Sequence, residues 1–541
     1  MGVLRATRGG HAGIVSALAV LAMLMGVAPG AQSAPAGAPI VEDPIVIDSF
    51  DGEPIVATLM LPAEASPESP VPAVLMTHGW GGSRSREPGG AIGRLVSSGY
   101  AVLTWDSRGF GDSGGEANVG SPDFEVKDAS ALIDYLAARP EILTDGPGDP
   151  RVGWIGGSNA AGVQFNTAAI DKRVDAIVPI ISWGNLPRDL LPNGVVKQSW
   201  DELLYAGGAV TATLEGADSP AGPQPGNYAP EIHIAHAQIS STGTISEDIR
   251  AWFAHKSTTV RSHRIEAPTL IIQGSIDTLF PLEDGFANYR KLVAAETPVK
   301  LMTYCGGHTL SGCPYPGGES GRPGSGDGAP LLWEERALAW LDRHVVGDRA
   351  PTGAGVEWQA QDGYYYRAPR YPLPGTKFVR GRRVAADLAG PGPGGGDGPA
   401  DGNPAPDDEL GVSAARTRIL GRFPTRRPML GVPRVWIRGR VTGVSAQLFF
   451  ELIDVNRRGK RTTIDDQVMP VKLEGGAFRR RLALHGVSWI VKPGHRIELE
   501  VTTGSTSYGA AREGPFEVSL SARPRLPLAP HRWATAARRA R

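Results

Sequence analysis

The chain has 541 residues, which is too long for one compact core and predicts two or three domains. Hydrophobic residues make up 41% and charged residues 21%, the proportions of an ordinary globular protein. The formal net charge is −1, so the sequence gives no reason to expect a nucleic-acid partner.

The first 33 residues have the pattern of an export signal. Arg5 and Arg8 give a positive start, residues 13–27 are apolar, and Ala31 and Ser33 supply small side chains for cleavage. The apolar run is shorter than a typical membrane-spanning helix. The sequence therefore predicts a secreted, extracellular protein with no stable membrane span after cleavage, and an uncleaved membrane anchor is the less favoured alternative.

Residues 41–183 alternate between strand and helix patterns. Apolar runs predict buried strands at 73–77, 101–105, 152–155 and 176–181. Helices are expected between them, near 91–98, 125–138 and 160–170. Strands that alternate with helices indicate an α/β domain with a doubly wound, mostly parallel sheet.

The nucleophile candidate is Ser158. It lies in Gly156-Gly157-Ser158-Asn159-Ala160, where an apolar run gives way to a helix-compatible segment. A serine between small residues at a strand-to-helix turn is typical of the nucleophile elbow of an α/β-hydrolase, because the tight turn excludes bulky neighbours. The helix N-terminus behind the serine favours developing negative charge.

Ser113 is a competing candidate, because the segment from Gly111 to Gly115 also fits Gly-x-Ser-x-Gly and is similar to the serine motif of trypsin-like proteases. That fold places its His and Asp before the serine. Too few residues precede Ser113 for two β-barrels, and their pattern is strand–helix–strand. Ser158 is therefore the preferred nucleophile.

Residues 185–262 break the alternation of strands and helices. They contain helical fragments and a Pro/Gly-rich loop, and they predict a helical cap over the site. Trp183 and Trp200 are candidates to line a substrate pocket, with core packing as the alternative for either. The histidines of the insert are interpreted as surface or cap residues: His233, His236, His255 and His263.

Asp277 is the candidate acid of a catalytic triad, which in this fold runs in the chain order Ser, acid, His. It follows the apolar run 268–274, so it is expected at the carboxyl-end rim of a parallel sheet. The alternative role is a cap for the helix that follows.

His308 is the candidate general base. It lies in a Gly-rich loop, Cys305-Gly306-Gly307-His308, after the next strand candidate at 299–304. From that position the imidazole could reach both the serine and the acid. The alternative is an exposed loop histidine.

Two backbone N–H groups would form the oxyanion hole. One is expected from Asn159, directly after the nucleophile. The other is expected from Trp80, in the loop His78-Gly79-Trp80 after the early strand. The alternative is that Trp80 only walls the acyl pocket and another amide donates.

Cys305 and Cys313 are the two cysteines of the chain. In an oxidising compartment they could pair and hold the loop that carries His308, and this pairing is expected if the protein is exported. Two cysteines and one histidine are too few for a metal site, so none is predicted. The chemistry needs no cofactor.

The chain changes character after a helix at 331–346. Alternating runs at 435–441, 447–455 and 496–502 predict an antiparallel β-sandwich. The expected division is a catalytic domain over 41–350, a sandwich over 351–525 and a basic tail over 526–541.

This arrangement resembles the X-Pro dipeptidyl-peptidase (peptidase S15) and CocE/NonD group of serine hydrolases. The segment from Asp106 to Gly114 matches the group's Asp-x-Arg-Gly-x-Gly-x-Ser loop, and the segments that end at Asp277 and His308 fit its acid and base. The resemblance implies a C-terminal jelly roll packed on the core. One departure is that His78-Gly79-Trp80 stands where the group has a tyrosine oxyanion donor.

The sequence thus predicts a secreted serine hydrolase that cleaves a peptide or ester bond of a small-molecule substrate through an acyl-enzyme. A dipeptidyl-peptidase would need a carboxylate for the substrate's amine, for which Asp189, Glu202 and Glu231 are candidates. The alternative is a carboxylic esterase without peptidase activity. A non-catalytic, exported protein that binds carbohydrate or wall polymer is the third hypothesis. The oligomeric state is not predicted.

Overall fold

The computed structural model describes residues 37–215, 227–308, 313–315, 332–349, 351–390, 414–505, 507–508, 513–535 and 538–539. The predicted export signal lies outside these ranges. Within them, no helix is both long and apolar enough to cross a membrane.

Over the ranges that the structure describes, the first sheet contains eleven strands. In chain order they are β1 Ile40–Asp48, β2 Pro54–Leu61, β3 Ala73–Thr77, β4 Ala101–Trp105, β5 Val152–Gly157, β6 Val174–Ile180, β7 Thr269–Gly274, β8 Val299–Tyr304, β9 Val356–Gln359, β10 Tyr364–Ala368 and a final strand, Arg538–Arg539. Their spatial order is β1-β2-β4-β3-β5-β6-β7-β8-β9-β10 and then the final strand. Pairing is parallel from β4 to β9 and antiparallel at both ends. The predicted doubly wound, mostly parallel sheet is confirmed.

Helices cover both faces of this sheet. Those of the core are α1 Gly90–Ser97, α2 Glu125–Ala137, α3 Asn159–Ile170, and, after the cap, α8 Leu282–Ala294 and α9 Leu332–Leu341. Alternate residues of the central strands enter different hydrophobic cores, as with Leu75 on one face and Val74 on the other. Such two-sided burial explains why these strands are apolar without a break.

In the described part of the cap the α-helices are α4 Leu186–Leu190, α5 Gln198–Glu215, α6 Pro230–Thr242 and α7 Glu247–His255. They follow β6 and precede β7, as expected for the predicted insert at 185–262. Their apolar side chains share one cluster with Trp183, Leu279 and Phe280 of the catalytic core. The cap therefore packs directly on the carboxyl-end rim of the sheet.

The C-terminal region is all-β and antiparallel. Its strands are β11 Lys377–Arg380, β12 Val384–Gly390, β13 Ala414–Leu420, β14 Arg427–Gly431, β15 Arg434–Val455, β16 Arg461–Ala483, β17 Val487–Val491, β18 Arg496–Thr502 and β19 Phe516–Leu528. Seven of them form one sheet, in which β15 pairs with β16, β18 and β19, while β14 and β17 form a two-stranded sheet. The predicted runs at 435–441 and 447–455 are one strand, β15, whose pairing with β16 shifts register between Val441 and Ser445.

The sheet boundaries differ from the expected division at 350 and 526. Strands β9 and β10 continue the first sheet, and the short strand Arg538–Arg539 pairs with β10 at its edge. The buried Trp358 and Tyr366 pack in the same core as β3 and β4. The alternating sequence pattern of β9 and β10 suits a strand of a sandwich as well as a strand at the edge of the first sheet. The pattern alone therefore could not assign these two strands to a domain.

Candidate active site

Ser158 occupies the turn between β5 and α3. Its backbone lies in the left-handed region, at φ 58° and ψ −121°. A Cβ on Gly156 would lie 2.8 Å from the Cβ of Ala160, which is too close for any side chain larger than hydrogen at position 156. The strained turn holds the serine at the carboxyl end of the sheet, which is the geometry of a nucleophile elbow.

His308 links Ser158 to Asp277. Its Nε2 lies 2.7 Å from Ser158 Oγ, and its Nδ1 lies 2.7 Å from Asp277 Oδ2. The ionised carboxylate can only accept, so Nδ1–H donates to Asp277 and Nε2 is free to accept from the serine hydroxyl. The structure therefore brings together three side chains that are far apart in the sequence.

Asp277 is fully buried and its second oxygen is also used. Oδ1 accepts the N–H groups of Leu279 at 2.9 Å and Phe280 at 2.8 Å. The two roles considered for Asp277 from the sequence are thus compatible, since one oxygen fixes the following turn and the other faces the imidazole.

Glycines allow the acid loop and the base loop to touch. A Cβ on Gly274 would lie 2.1 Å from the carbonyl oxygen of Gly306, and a Cβ on Gly307 would lie 2.4 Å from the Cβ of Asp277. Gly307 also has a φ of 140°, which side chains rarely adopt. The Gly-Gly pair before His308 is therefore required by the contact between the two loops.

A disulfide joins Cys305 and Cys313, with their Cα atoms 5.4 Å apart. This confirms the predicted pairing. The N–H of Cys305 donates to Gln359 Oε1 at 2.7 Å, which ties the start of the loop to β9. His308 thus lies in a segment fixed at both of its ends.

Two aromatic rings enclose the imidazole. Phe280 meets His308 edge-on with ring centroids 5.2 Å apart, and Trp200 does so at 6.1 Å. The indole N–H of Trp200 donates to Thr278 Oγ1 at 3.1 Å. Trp200 therefore packs against His308, and its role in lining the substrate pocket stays a prediction.

A cavity of about 100 Å³ opens beside Ser158. Side chains of the core and the cap line it, most of them apolar: Trp80, Val119, Asn159, Trp183, Leu186, Leu190, Val196, Lys197, Asp201, Leu204, Tyr205, Ile232, Ala235, Ile239, Phe253, Leu279 and Phe280. Trp183 lies in this wall, as expected. The pocket is thus a mainly apolar chamber with two charged groups.

The indole of Trp80 is part of the wall. Its Nε1–H donates to the carbonyl of Leu204 at 3.0 Å, and its ring stacks on Tyr228 at 5.3 Å. The preceding Gly79 passes close to the nucleophile, since a Cβ there would lie 3.6 Å from the Cβ of Ser158. The loop is therefore beside the reacting centre, while the roles of the Trp80 and Asn159 amides in an oxyanion hole remain predictions.

Asp201 is the acidic side chain among the described residues of the wall. Its Oδ2 pairs with His236 Nδ1 at 2.8 Å, and burial raises the pKa of its carboxyl although His236 opposes this. Lys197 is buried and donates to the carbonyl of Leu279 at 2.8 Å, and burial lowers the pKa of its ammonium group.

Sequence reasoning missed Asp201 and the role of His236, because no local pattern distinguishes them from other polar residues of the cap. The acids named instead lie elsewhere. Asp189 is buried against Arg188, and Glu202 accepts a hydrogen bond from Gln198. Neither Glu202 nor Glu231 lines the cavity.

Ser113 has a structural role. Its hydroxyl donates to the carbonyl of Asp106 at 2.7 Å and accepts the N–H of Val56 at 2.8 Å. It is fully buried, and neither of its two hydrogen bonds in the described chain involves an imidazole. Among the described residues, no group of His, Cys, Asp and Glu is arranged to hold a metal ion.

The family model for X-Pro dipeptidyl-peptidase (S15 family) matches residues 51–310. An uncharacterised protein of Pseudomonas aeruginosa is 31% identical over 128 residues, which cover 24% of this chain and 33% of that protein. The chain spans less than half the length of the curated relatives it matches.

Two solved structures share the fold over nearly the whole chain. A CocE/NonD family hydrolase from Staphylococcus aureus has a TM-score of 0.65 at 13% identity, covering 91% of this chain and 94% of that one. An alpha-amino acid ester hydrolase has a TM-score of 0.65 at 14% identity, covering 93% and 98%. The resemblance predicted from the motifs and the fold class are confirmed, and the comparisons support the prediction of a hydrolase.

Proposed function

We propose that this chain, whose residues 51–310 match the S15 family model, is a serine hydrolase that cleaves a carboxylic ester through an acyl-enzyme. The observation that carries the proposal is the pair of 2.7 Å contacts from His308 to Ser158 and to Asp277. These contacts supply a nucleophile, its base and the group that orients the base.

In the first half-reaction, His308 Nε2 takes the proton of Ser158 as Oγ attacks the carbonyl carbon. Asp277 holds the imidazole in the tautomer with a free Nε2 and stabilises the imidazolium that forms. The imidazolium then gives the proton to the leaving alcohol oxygen as the C–O bond breaks. The serine is left as an ester of the substrate's acid.

The developing oxyanion needs donors on the side of Ser158 away from His308. The Asn159 N–H lies at the N-terminus of α3, and the loop that contains Gly79 and Trp80 borders the serine. The positive end of the helix dipole favours the same charge. Loss of one such donor typically costs about 10²–10³ in rate.

Water completes the reaction. His308 removes a proton from the water as its oxygen attacks the acyl carbon, and then returns that proton to Ser158 Oγ as the acyl–serine bond breaks. The products are the free acid and a regenerated enzyme. The proton of Ser158 leaves with the alcohol, and a proton from water replaces it on the serine, so the cycle balances without a cofactor.

The pocket favours an ester with an apolar acyl group. The wall beside Ser158 includes Trp183, Leu279 and Phe280, whose side chains present no free hydrogen-bonding group to a polar acyl chain, since the indole N–H of Trp183 donates to the carbonyl of Lys256. The one described carboxylate of the wall, that of Asp201, is engaged by His236. An apolar pocket selects acyl groups by buried area and shape.

Amine recognition is the second candidate function, and it would make the enzyme a peptidase that acts on a free N-terminus. Two observations favour it. Asp201 lines the pocket, and so does Asn159, whose side-chain oxygen is buried without a hydrogen-bond partner in the described part of the chain. A substrate ammonium group could be paired by these two acceptors.

We also propose that the protein is exported. The charged, apolar and small-residue order of residues 1–33 supports this, as does the disulfide, since disulfides persist mainly in oxidising compartments. N-terminal sequencing of protein recovered outside the cell would test it. A mature chain that begins near residue 34 is expected, and an intact N-terminus would contradict export by this signal.

Labelling with a fluorophosphonate tests the nucleophile. The wild-type protein and Ser113→Ala, if folded, should be labelled, whereas Ser158→Ala should not. Retained labelling of Ser158→Ala would refute the assignment, and an unlabelled wild-type protein would favour a non-catalytic binding role.

Substrates separate the two candidate activities. A nitrophenyl butyrate and a Pro-linked dipeptide anilide should be compared on wild type and on Asp201→Asn. Ester hydrolysis by both proteins, with no anilide hydrolysis, supports the esterase. Anilide hydrolysis that Asp201→Asn removes would establish the peptidase instead.

A further inference from the structure

A strongly basic groove crosses the C-terminal sheet. It is an open depression of about 680 Å³, formed by strands β11, β15, β16 and β19. Arginines dominate its lining, including Arg380, Arg438, Arg479, Arg481, Arg523 and Arg525. The whole chain has a formal net charge of −1, so this concentration of positive charge does not follow from composition.

Strand register brings the arginines side by side. Arg438 on β15 is directly opposite Arg479 on β16, and Arg525 on β19 is opposite both Arg434 on β15 and Arg380 on β11. Side chains directly opposite in an antiparallel pair lie about 5 Å apart, and like charges at that distance destabilise the sheet. An anion lying over the rows would remove this repulsion.

Carboxylates of the described chain do not neutralise the groove. None of the six arginines named for its lining forms an ion pair with a described residue. By contrast, Arg461, at the other end of β16, pairs with Glu498 and Glu500. The adjoining depression, which shares Arg438 and Arg479, adds one acidic residue, Asp387. The same sheet therefore neutralises arginines at one end and leaves them unpaired at the other.

An aromatic ring holds one of these arginines in place. The guanidinium of Arg525 lies over the ring of Trp436, 4.3 Å from its centre. On either side, Trp436 is opposite Arg481 and Arg523. A guanidinium stacked in this way is pre-organised and keeps its N–H groups available at the ring's edge for an oxyanion.

We propose that this groove binds a linear anionic polysaccharide through the carboxylate or sulfate groups of successive sugars. The rows of planar guanidinium groups match repeated oxyanions, which arginine binds in a bidentate manner. Arg525 covers the face of Trp436, so the groove lacks an open stacking platform of the kind that single-stranded nucleic acids use. A planar lipid surface cannot follow the floor of a depression of this size.

The groove is separate from the triad. The side-chain amide of Gln467, on β16, donates to the backbone carbonyl of Asp277 at 3.0 Å. Arg479 lies 12 residues further along the same strand, which corresponds to roughly 40 Å of extended chain. Binding in the groove would therefore hold the hydrolase on a polymer while its pocket stays open. The proposal does not depend on which bond the enzyme cleaves.

The test uses the full-length protein and fluorescein-labelled polygalacturonate, titrated at several salt concentrations. Arg438→Glu/Arg481→Glu/Arg523→Glu is compared with a control of equal charge change at exposed arginines elsewhere, Arg349→Glu/Arg370→Glu/Arg458→Glu. The wild type and the control should bind alike, more weakly as salt rises. The groove variant should lose at least tenfold in affinity and keep its rate on nitrophenyl butyrate.

Single-stranded DNA, vesicles rich in phosphatidylglycerol, neutral dextran and heparin are the comparison ligands. Stronger binding of DNA or vesicles than of both acidic polysaccharides would overturn the assignment. So would equal affinity of the groove variant and the control, or the absence of polysaccharide binding by the wild type at low salt. If the triple variant does not fold, Arg481→Gln/Arg523→Gln takes its place and should lower the salt dependence of binding.

Discussion

The side-chain amide of Gln467 donates to the backbone carbonyl of Asp277 over 3.0 Å. Gln467 lies on β16 of the C-terminal sheet, and Asp277 lies in the loop that follows β7 of the first sheet. A second contact, from the same amide to the carbonyl of Ser275, measures 3.4 Å. The all-β region thus holds the loop that presents the acid to His308.

Replacing Gln467 with Leu should reduce kcat about tenfold and leave KM nearly unchanged. The substitution removes both hydrogen bonds and leaves two buried carbonyls unpaired, which loosens the acid loop without touching the pocket. Steady-state kinetics on nitrophenyl butyrate would measure the change.

The matched control is Gln447→Leu, on β15, because the side-chain oxygen of Gln447 is buried without a partner in the described chain. It should keep the wild-type rate. If Gln467→Leu also keeps that rate while folded, the contact does not position the acid.

Gly307→Ala should lower kcat/KM by about 10² or more. The new methyl group would meet the Cβ of Asp277 at 2.4 Å, and a φ of 140° is unfavourable for alanine. The base loop must then move away from the acid, and misplacement of a catalytic group by about 1 Å can cost 10²-fold.

Gly146→Ala is the control for this change, since a Cβ at Gly146 would meet nothing within 4 Å. It should be neutral. Full activity of Gly307→Ala would mean that the loops can separate without cost, and the required contact between them would be disproved.

Replacement of both cysteines with serine should lower the free energy of unfolding by about 2.5 kcal/mol. The bond closes a loop of sequence separation 8, and the chain-entropy relation gives a value of that size for so short a loop. Denaturant unfolding of the double variant would measure it.

The same double variant should also lose activity while it is still folded, because His308 lies inside the loop that the disulfide closes. At a temperature where both proteins are folded, kcat should decrease while fluorophosphonate binding remains detectable. Unchanged kcat would show that the rest of the loop is sufficient to position the base.

The buried Lys256 should make the free energy of unfolding depend on pH in the alkaline range. Its side chain is buried, with Nζ 3.4 Å from the ring centre of Trp252, and burial lowers its pKa from 10.5 to about 8. Between these values the unfolded chain binds more protons than the folded protein, so stability rises with pH across that window.

Lys256→Met removes this dependence. At pH 7.5 the variant should be the more stable protein, and its advantage over wild type should shrink as the pH rises to 10.5, by up to about 3 kcal/mol. The exposed Lys291→Met is the control and should show a constant difference from wild type. A constant difference for Lys256→Met would refute the buried-ammonium explanation.

Local patterns were sufficient for the elbow and for most of the parallel sheet. Strands 73–77, 101–105 and 299–304 have the predicted bounds, because an apolar run between turn residues is a property of neighbouring positions. The meeting of Ser158, Asp277 and His308 could be expected from chain order, since parallel strands bring their carboxyl ends to one rim.

Contacts between distant segments could not be predicted in this way. The pairing of Asp201 with His236 depends on how two cap helices cross, and the Gln467 contact depends on how the two sheets pack. The sequence gives no local pattern that separates Trp200 from Trp183, yet Trp200 packs against the imidazole of His308 and Trp183 lies in the cavity wall. Such directions are set by tertiary packing, which periodicity does not encode.

The return of Arg538–Arg539 to the edge of the first sheet has a consequence for biosynthesis. During synthesis, the nine strands of the all-β region leave the ribosome before the strand Arg538–Arg539 does. Until then, β10 presents unsatisfied backbone groups along one side, the kind of surface on which nascent chains associate wrongly. This edge of the catalytic sheet is therefore covered only after the all-β region has been synthesised, so a fragment that stops after the hydrolase core would leave the backbone of β10 exposed.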